Sequence, residues 1–360
     1  MDFELSDDQV ALRDGARELL DGLASTVRVR AVLEAGGGLD RELWKAMVEQ
    51  GWTGVELPEA EGGLGLGVVE VAVLLEEIGR HAAPAPFQST VLALGALARA
   101  GRADRVESLL GGDAVGCVAW SARSDAVRAE RAGTDWRLTG RPDPTPYAPS
   151  ATVAVVAAAA ADGPALFEVD LSGGAPAPEP AMDRTRELGW LRLDATPGVL
   201  LGESDAVDAL LDRGAVYASA EMLGGASRAM EMAVEYAKER VQFDRPIGSF
   251  QAVKHRCADM LVDVEGMRST VYWAAWCIGA GDDAPVAAST AKVWCSDASK
   301  RVMASALQVH GGIGFTWEHD LHLFLKRAQL DQLTFGDAAF HRARLAALLR
   351  PRVEAGESVI

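Results

Sequence analysis

The feature that most restricts the fold of this chain is a change of hydrophobic period, made twice. From Ser204 to Arg350 apolar residues recur at spacings of three and four in long runs, 205–240, 249–280, 284–309, 317–332 and about 337–349. Such runs predict amphipathic helices, and four of them packed antiparallel bury their stripes in a bundle. The same period holds from Ser6 to about Leu110. There "SDDQVALRDGARELLDGL" opens with a serine cap and an acidic first turn, and "LDRELWKAMVEQGW" stops at Gly51. "LPEAEGGLGLG" (57–67) reads as a loop, and "VVEVAVLLEEIGRHAA" as a helix closed by Gly79 and then Pro84. Between these zones the period fades. "AVGCVAWSA", "WRLTG", "TVAVVAA", "ALFEVDL" and "LGWLRLDATPGVLLG" are short apolar or alternating runs parted by Gly, Pro and Asp, which is strand and turn chemistry. The expected fold class is α+β, with a helical domain at 1–112, a β domain at 113–203 and a helical bundle at 204–360.

Composition narrows the function. Apolar residues make up 49% of the 360 residues, enough for a sizeable core and too many for wholesale disorder. The net charge of −17 argues against a nucleic-acid partner or an anionic membrane surface, which call for a basic face. No run reaches the roughly 18 apolar residues that a membrane span needs; "TVAVVAAAAA" (152–161) reads as a buried strand. "MDFELSDDQV" lacks a basic region before an apolar core. Cys117, Cys257, Cys277 and Cys295 form no C-x-x-C pair and are expected to be free thiols in a reducing, cytoplasmic compartment.

Several chemistries find no support. His319 and His322 make an H-x-x-H on an expected helix, but no glutamate stands in the zincin position, so a solvated helix face is expected and no metal. There is no G-x-S-x-G, and "GGLGLG" (62–67) follows no strand, which excludes a dinucleotide loop. Two other segments carry more. In "KERVQFDRPIGSFQAVKHRCADM" (238–260) a helix breaks at Asp244-Arg245-Pro246 and another begins near Ser249. Arg240, Phe243 and Gln251 then share one interhelical turn, offering a forked cation, an aromatic face and an amide to an anionic, aromatic ligand. The plainer alternative is an arginine that caps a helix C-terminus. In "QVHGGIGFT" (308–316) three glycines interrupt a helical pattern, although each costs a helix roughly 1 kcal/mol against alanine. Gly311, Gly312 and Gly314 are expected to leave backbone N–H groups open to phosphate oxygens.

These segments together resemble the acyl-CoA dehydrogenase family along essentially the whole chain. "LPEAEGGLGLGVVEVAVLLEEIGR" is similar to the family's N-terminal Pro-Glu…Gly-Gly-x-Gly segment, "RVQFDRPIGSFQ" to its R-x-x-F-x-x-x-I-x-x-F-Q signature, and "QVHGGIGFT" to its Q-x-x-G-G-x-G-F/Y-T signature. The resemblance implies an N-terminal helical domain, a middle β-barrel or sandwich domain and a C-terminal four-helix bundle. It also implies FAD, acyl-CoA thioester substrates, an electron-transferring flavoprotein as acceptor, and tetramers built as a dimer of dimers. In the family the two C-terminal signatures contact the FAD of a neighbouring subunit; here those residues are Arg240, Phe243, Gln251, Gln308, Gly311 and Gly312.

The chain departs from the family where proton abstraction occurs. The family removes the α-proton of the thioester with a glutamate while hydride passes to the flavin. In "LTFGDAAFHR" (333–342) Phe335 stands where the commonest glutamate should be. The alternative glutamate site on the first C-terminal helix falls near Gly214, in "LDRGAVYASAEM", leaving Asp212, Glu221 or Asp337 as unorthodox bases. "VAWSARSDA" (118–126) keeps only the Ser124-Asp125 end of the family's first β-domain signature, and "RPDPTPYAPS" (141–150) lacks the tryptophan that lies against the flavin. The chain therefore resembles the shorter, glutamate-less subunits of actinobacterial heterotetrameric (α2β2) acyl-CoA dehydrogenases, several of which act on steroid side-chain thioesters. No residue of this chain is expected to be catalytic. Its expected partner is a homologous subunit that carries the glutamate and the acyl-CoA. A self-sufficient homomeric enzyme with a relocated base and a flavin-free scaffold are the competing expectations.

Overall fold

The computed structural model describes residues 4–357; the first three residues of "MDFELSDDQV" and the last three of the chain lie outside them. Helices come first: α1 (Asp7–Leu23), α2 (Thr26–Glu34), α3 (Arg41–Glu49), α4 (Val68–Arg80), α5 (Phe87–Arg99) and α6 (Ala103–Leu110). The strands follow: β1 (Gly116–Ala119), β2 (Val127–Ala132), β3 (Asp135–Gly140), β4 (Thr145–Pro146), β5 (Val153–Ala160), β6 (Gly163–Asp170), β7 (Pro178–Glu179), β8 (Leu188–Gly189) and β9 (Leu193–Gly202). Helices then return as α7 (Ser204–Glu239), α8 (Gln251–Ala280), α9 (Ala284–His310), α10 (Leu321–Leu333) and α11 (Ala338–Glu354), with the short hairpin β10 (Val241–Gln242)–β11 (Arg245–Pro246) between α7 and α8. The α, β, α order is the expected one. Local chemistry explains the starts: Ser6 and Gln9 make a reciprocal capping box on α1, and the Asp40 carboxylate accepts from the N–H groups of Glu42 and Leu43.

The residues pack as two compact units, Met1–Val27 with Ala72–Ala83 and Ala215–Ile360, and Arg28–Val71 with Pro84–Gly214. In the second unit β5, β2, β3, β9 and β6 pair in a ring that closes where β6 meets β5 across eight residue pairs. Closure removes the sheet edges, and β1 adds alongside β5 in parallel. The barrel is filled by Val127, Ala129, Leu138, Val156, Phe167 and their neighbours, with Trp136 edge-on to Phe167 at 5.2 Å. Outside it Arg102 and Arg105, at the start of α6, both donate to the buried Glu168 of β6.

In the other unit the second half of α4 runs among the C-terminal helices at unusually close range. Gly79 does not close α4, as its sequence position suggested, but lies inside it. A Cβ there would stand 2.0 Å from the Glu221 carbonyl oxygen, and one on Gly224 would stand 1.8 Å from that of Glu76. The two glycines let the backbones of α4 and α7 touch, a packing reason strong enough to outweigh their poor helix propensity. Gly224→Ala is expected to cost about 2–3 kcal/mol, the upper end of overpacking penalties, read as a lower chemical-denaturation midpoint at unchanged m-value. Polar groups on α4 are satisfied in the same place. Glu76 accepts from Arg268 at 2.5 Å and from the Tyr272 hydroxyl at 2.7 Å, and Glu77 accepts a forked pair from Arg17. Burial pushes the Tyr272 phenol well above its ordinary range.

Candidate functional site

The six residues singled out in the sequence lie in the helical unit, on two turns that tertiary packing brings together. The first turn closes α7 onto α8. Arg240 N–H donates to Tyr236 O at 2.9 Å and Ile247 N–H to Arg240 O at 2.8 Å, so the hairpin folds back on the helix that precedes it. A Cβ on Gly248 would lie 2.8 Å from Ala237 O, so this return needs glycine. At the hairpin tip Phe243 and Asp244 have φ of +53° and +61°, a two-residue geometry usually met by Asn-Gly. Non-glycine residues in that region store strain, and such strain gathers at functional sites. Phe243 is 85% exposed despite its ring. Its edge meets Phe250 at 6.0 Å, and the Arg245 guanidinium lies 4.0 Å over Phe250. Gln251 is the exposed first residue of α8.

The second turn ends α9. Gly311 has φ +62°, and its N–H donates to Leu307 O. That N–H is therefore spent inside the chain, which corrects the expectation that all the glycines leave their donors open: a helix C-terminus takes the first one for its own carbonyls. Gly314 is needed by packing, since a Cβ there would lie 2.9 Å from His310 Cβ. Gly312 is different. It is exposed, its φ does not demand glycine, and an added Cβ would meet nothing within 4 Å. Gln308 is exposed beside it. The turns are joined by Tyr236, one helical turn before Arg240, which stacks on His310 at 4.8 Å. Among the described residues no hydrogen bond or ion pair engages the side chains of Arg240, Gln251 or Gln308.

The place of the absent glutamate is also well defined. Phe335 is buried with φ +56°, followed by Gly336 at φ +89°. The turn is held from beneath by Lys292 of α9, whose Nζ donates to the carbonyls of Asp331, Gln332 and Gly336 at 2.9, 3.0 and 2.9 Å. Burial pushes this amine down to about 7, against which the three carbonyls match the three protons of its ammonium form. His341 Nε2 donates to Phe335 O at 2.8 Å, while its Nδ1 accepts from the Ser289 hydroxyl. Burial holds this imidazole neutral, at about 4.

The unorthodox bases are otherwise employed. Glu221 is 1% exposed and paired with Arg327, itself 2% exposed, which also reaches Ala83 O. Asp337 caps α11, accepting from Phe340 N–H at 2.8 Å. Asp212 is buried. The histidine pair is corrected in detail: α10 begins at Leu321, so His319 precedes it, and His322 is buried and stacked on Trp317 at 4.5 Å rather than solvated. No group of metal-ligating side chains exists among the described residues. The four cysteines are free thiols. No helix among the described residues is long and apolar enough to cross a membrane.

Sequence reading missed Lys292, His341, Tyr236 and His310. Lys292 alone gave a signal, being a lone cation in the small-residue run "AASTAKVWC" on what had to be a core helix.

Residues 6–114 match the N-terminal domain of acyl-CoA dehydrogenases, and residues 204–349 match the C-terminal domain. The chain is 34% identical to the acyl-CoA dehydrogenase IpdE2 of Mycolicibacterium smegmatis over 344 residues, covering 95% of this chain and 99% of that protein. It is similar to a chain of the ChsE4-ChsE5 complex from Mycobacterium tuberculosis, with 32% identity, a TM-score of 0.91, and coverage of 97% and 99% of the two chains. It is also similar to a chain of a Tcur3481-Tcur3483 steroid ACAD variant, with 32% identity, a TM-score of 0.90 and the same coverage. The barrel, the helices around it and both C-terminal signatures thus have one explanation: the chain belongs to the acyl-CoA dehydrogenase family.

Proposed function

We propose that this chain is the non-catalytic subunit of a heteromeric FAD-dependent acyl-CoA dehydrogenase, probed by one observation above the rest. The turn that should present the base is intact, hydrogen-bonded from two buried side chains, and carries Phe335, which cannot accept a proton. The carboxylates proposed to replace it serve a buried ion pair at Glu221 and a helix cap at Asp337. The residues that would meet a neighbour's cofactor are kept and face outward. Arg240 suits a phosphate, Phe243 an apolar ring, and Gln251 and Gln308 amide contacts, while Gly312 is left without a side chain where this chain's own packing would admit one. These fit FAD held largely by a partner, together with Gly311 at the same turn. FAD bound there would supply the acceptor for the β-hydrogen as hydride, and Arg240, Phe243, Gln251 and Gln308 of this chain would help to hold and orient it.

The partner would be a homologous subunit carrying the glutamate and the acyl-CoA thioester, in an α2β2 assembly that passes electrons to an electron-transferring flavoprotein. Relatives named as a two-component complex and as a steroid ACAD support such an assembly and a steroid side-chain thioester as substrate. Expressing the chain alone and with its homologous subunit tests this, by flavin absorbance and acyl-CoA-dependent dye reduction. Both signals in the pair and neither in the lone chain are expected. Turnover by the lone chain would refute the reading, and a colourless pair would favour a flavin-free scaffold. In the pair, Arg240→Ala is expected to weaken FAD retention by about tenfold or more, the worth of one charge-assisted hydrogen bond, although this chain has no base of its own. Unchanged retention would remove Arg240 from the site.

A further inference from the structure

One helix glycine answers to no packing demand. Gly95 lies in the interior of α5, its φ does not require glycine, and an added Cβ would meet nothing within 4 Å. Glycine is the poorest helix former after proline, so this position gives up helix stability for open space. The space is a cavity of about 290 Å³ inside the unit formed by Arg28–Val71 and Pro84–Gly214. Its apolar walls are Val91, Leu94 and Ala98 of α5 and, opposite them, Leu57 and Pro58. Its polar wall is an ion pair: Arg213, near the start of α7, donates from Nε to Glu56 Oε1 at 2.7 Å, the two side chains being only 19% and 20% exposed. Among the described residues no hydrogen bond engages the terminal amino groups of Arg213. Two further charges of opposite sign, Glu61 and Arg99, stand at the exposed side of the same cavity.

We propose that this cavity binds a small zwitterion with an apolar tail, the chemistry of an aliphatic α-amino acid. The ligand carboxylate takes the terminal amino groups of Arg213, a fork suited to it. The ammonium faces Glu61, and the aliphatic tail fills the space over Gly95 between Leu57, Val91 and Leu94. The charges select this class. A simple anion would sit beside Glu56, which already holds the Arg213 guanidinium, in a chain of net charge −17. A simple cation would meet the two guanidiniums without a carboxylate of its own to satisfy them. A wholly apolar ligand would cut the Arg213 amino groups off from water and give them nothing in return. A zwitterion leaves the two positive and two negative side chains of the wall in balance. The volume sets the size: ordinary ligand pockets span about 300–1,000 Å³, so this one suits a molecule of about ten non-hydrogen atoms. The inference is independent of the half-site reading above.

The test uses the full-length chain, with any subunit that co-purifies, and titrates L-leucine by saturation-transfer NMR. Leucine is expected to bind with a Kd on the order of 0.1–1 mM, ordinary for so small a ligand. Two analogues dissect it: 4-methylpentanoate, which lacks the amine, and 3-methylbutylamine, which lacks the carboxylate. Each should bind about tenfold more weakly or worse, the worth of one charge-assisted hydrogen bond. Gly95→Leu should abolish leucine binding with no fall in melting temperature, because the new side chain occupies the ligand's space. Arg213→Lys keeps a cation beside Glu56 but loses the fork. It should weaken leucine about tenfold and leave 3-methylbutylamine unchanged, and it serves as the test should Gly95→Leu fail to fold. No leucine binding, or binding that survives Gly95→Leu at full strength, would reduce the cavity to a packing gap and overturn the inference. Tighter binding of either analogue than of leucine would overturn it as well, by showing that the site does not read a zwitterion. None of these outcomes bears on FAD retention by the paired subunits, so the half-site reading stands or falls on its own experiment.

Discussion

Lys292→Glu is expected to leave no soluble chain, and Lys292→Met to lower the melting temperature by about 10 °C. Nothing in the propensity of α9 would suggest this, because lysine, glutamate and methionine all suit helices. The cause is tertiary. Lys292 is fully buried and its ammonium donates to three carbonyls, two at the end of α10 and one at Gly336. Methionine keeps the volume but takes those three donated protons away. Each buried carbonyl left unpaired costs about 1–3 kcal/mol, and relaxation of the turn recovers part of that, leaving about 3–5 kcal/mol. Glutamate adds a buried negative charge facing three oxygens, which exceeds the whole stability of many domains. Soluble yield and thermal melts of the complex check both, and a methionine variant melting within about 2 °C of wild type would refute the role. The neighbouring His341 sets a pH window for the same turn. Its folded pKa lies near 4 and its unfolded one near 6.5, so the unfolded chain takes the proton first. Stability should fall as pH drops from about 6.5 to about 4 and be fully lost below, by on the order of 3 kcal/mol. His341→Gln should flatten that slope.

Glu221→Ala is expected to destabilise the chain by about 3–5 kcal/mol, because it leaves the Arg327 guanidinium charged and buried. The same variant discriminates between functions. A proton-abstracting base can be removed with the fold intact and turnover gone. A structural pair behaves otherwise: Glu221→Ala and Arg327→Met should each unfold at lower urea, and combining them should recover much of the loss, since the pair is then replaced by neutral groups. Additive losses would show that the two residues do not act as a pair. A well-folded Glu221→Ala variant that loses activity without any partner present would restore the relocated-base reading.

Much of this architecture was readable in the amino-acid order, and for a simple reason. The long runs after Ser204 became α7 to α11, with ends within a few residues of those expected except at α10, which starts at Leu321, and at α11, which runs on to Glu354. Helical period is a local property carried by every turn of the chain, so it survives without knowledge of partners. The β zone was legible in kind for the same reason, through Gly, Pro and Asp between short apolar runs. Gly79 was misread because a glycine near the end of a helical pattern has two meanings, stop and close approach. Only the carbonyl of Glu221, far away in the chain, decides between them. Gly311 was half read: its turn was evident, but a helix C-terminus claims its N–H before any ligand can.

The site divides along the same line. Which side chains could meet a nucleotide, and that Phe335 cannot act as a base, followed from residue chemistry and spacing, because a missing carboxylate is missing in any fold. Whether Glu221 or Asp337 could stand in for it did not follow. That depended on Arg327, over a hundred positions away, and on the backbone of α11. The sequence by itself determined the α, β, α order, the two signature turns and the absence of the usual base, all written in local pattern or identity. The tertiary structure alone decided which charged groups are occupied, which glycines answer to packing, and that Tyr236 and His310 join the two turns into one surface. Occupancy, close approach and stacking are relations between distant residues, and the order of a chain does not contain them until it folds.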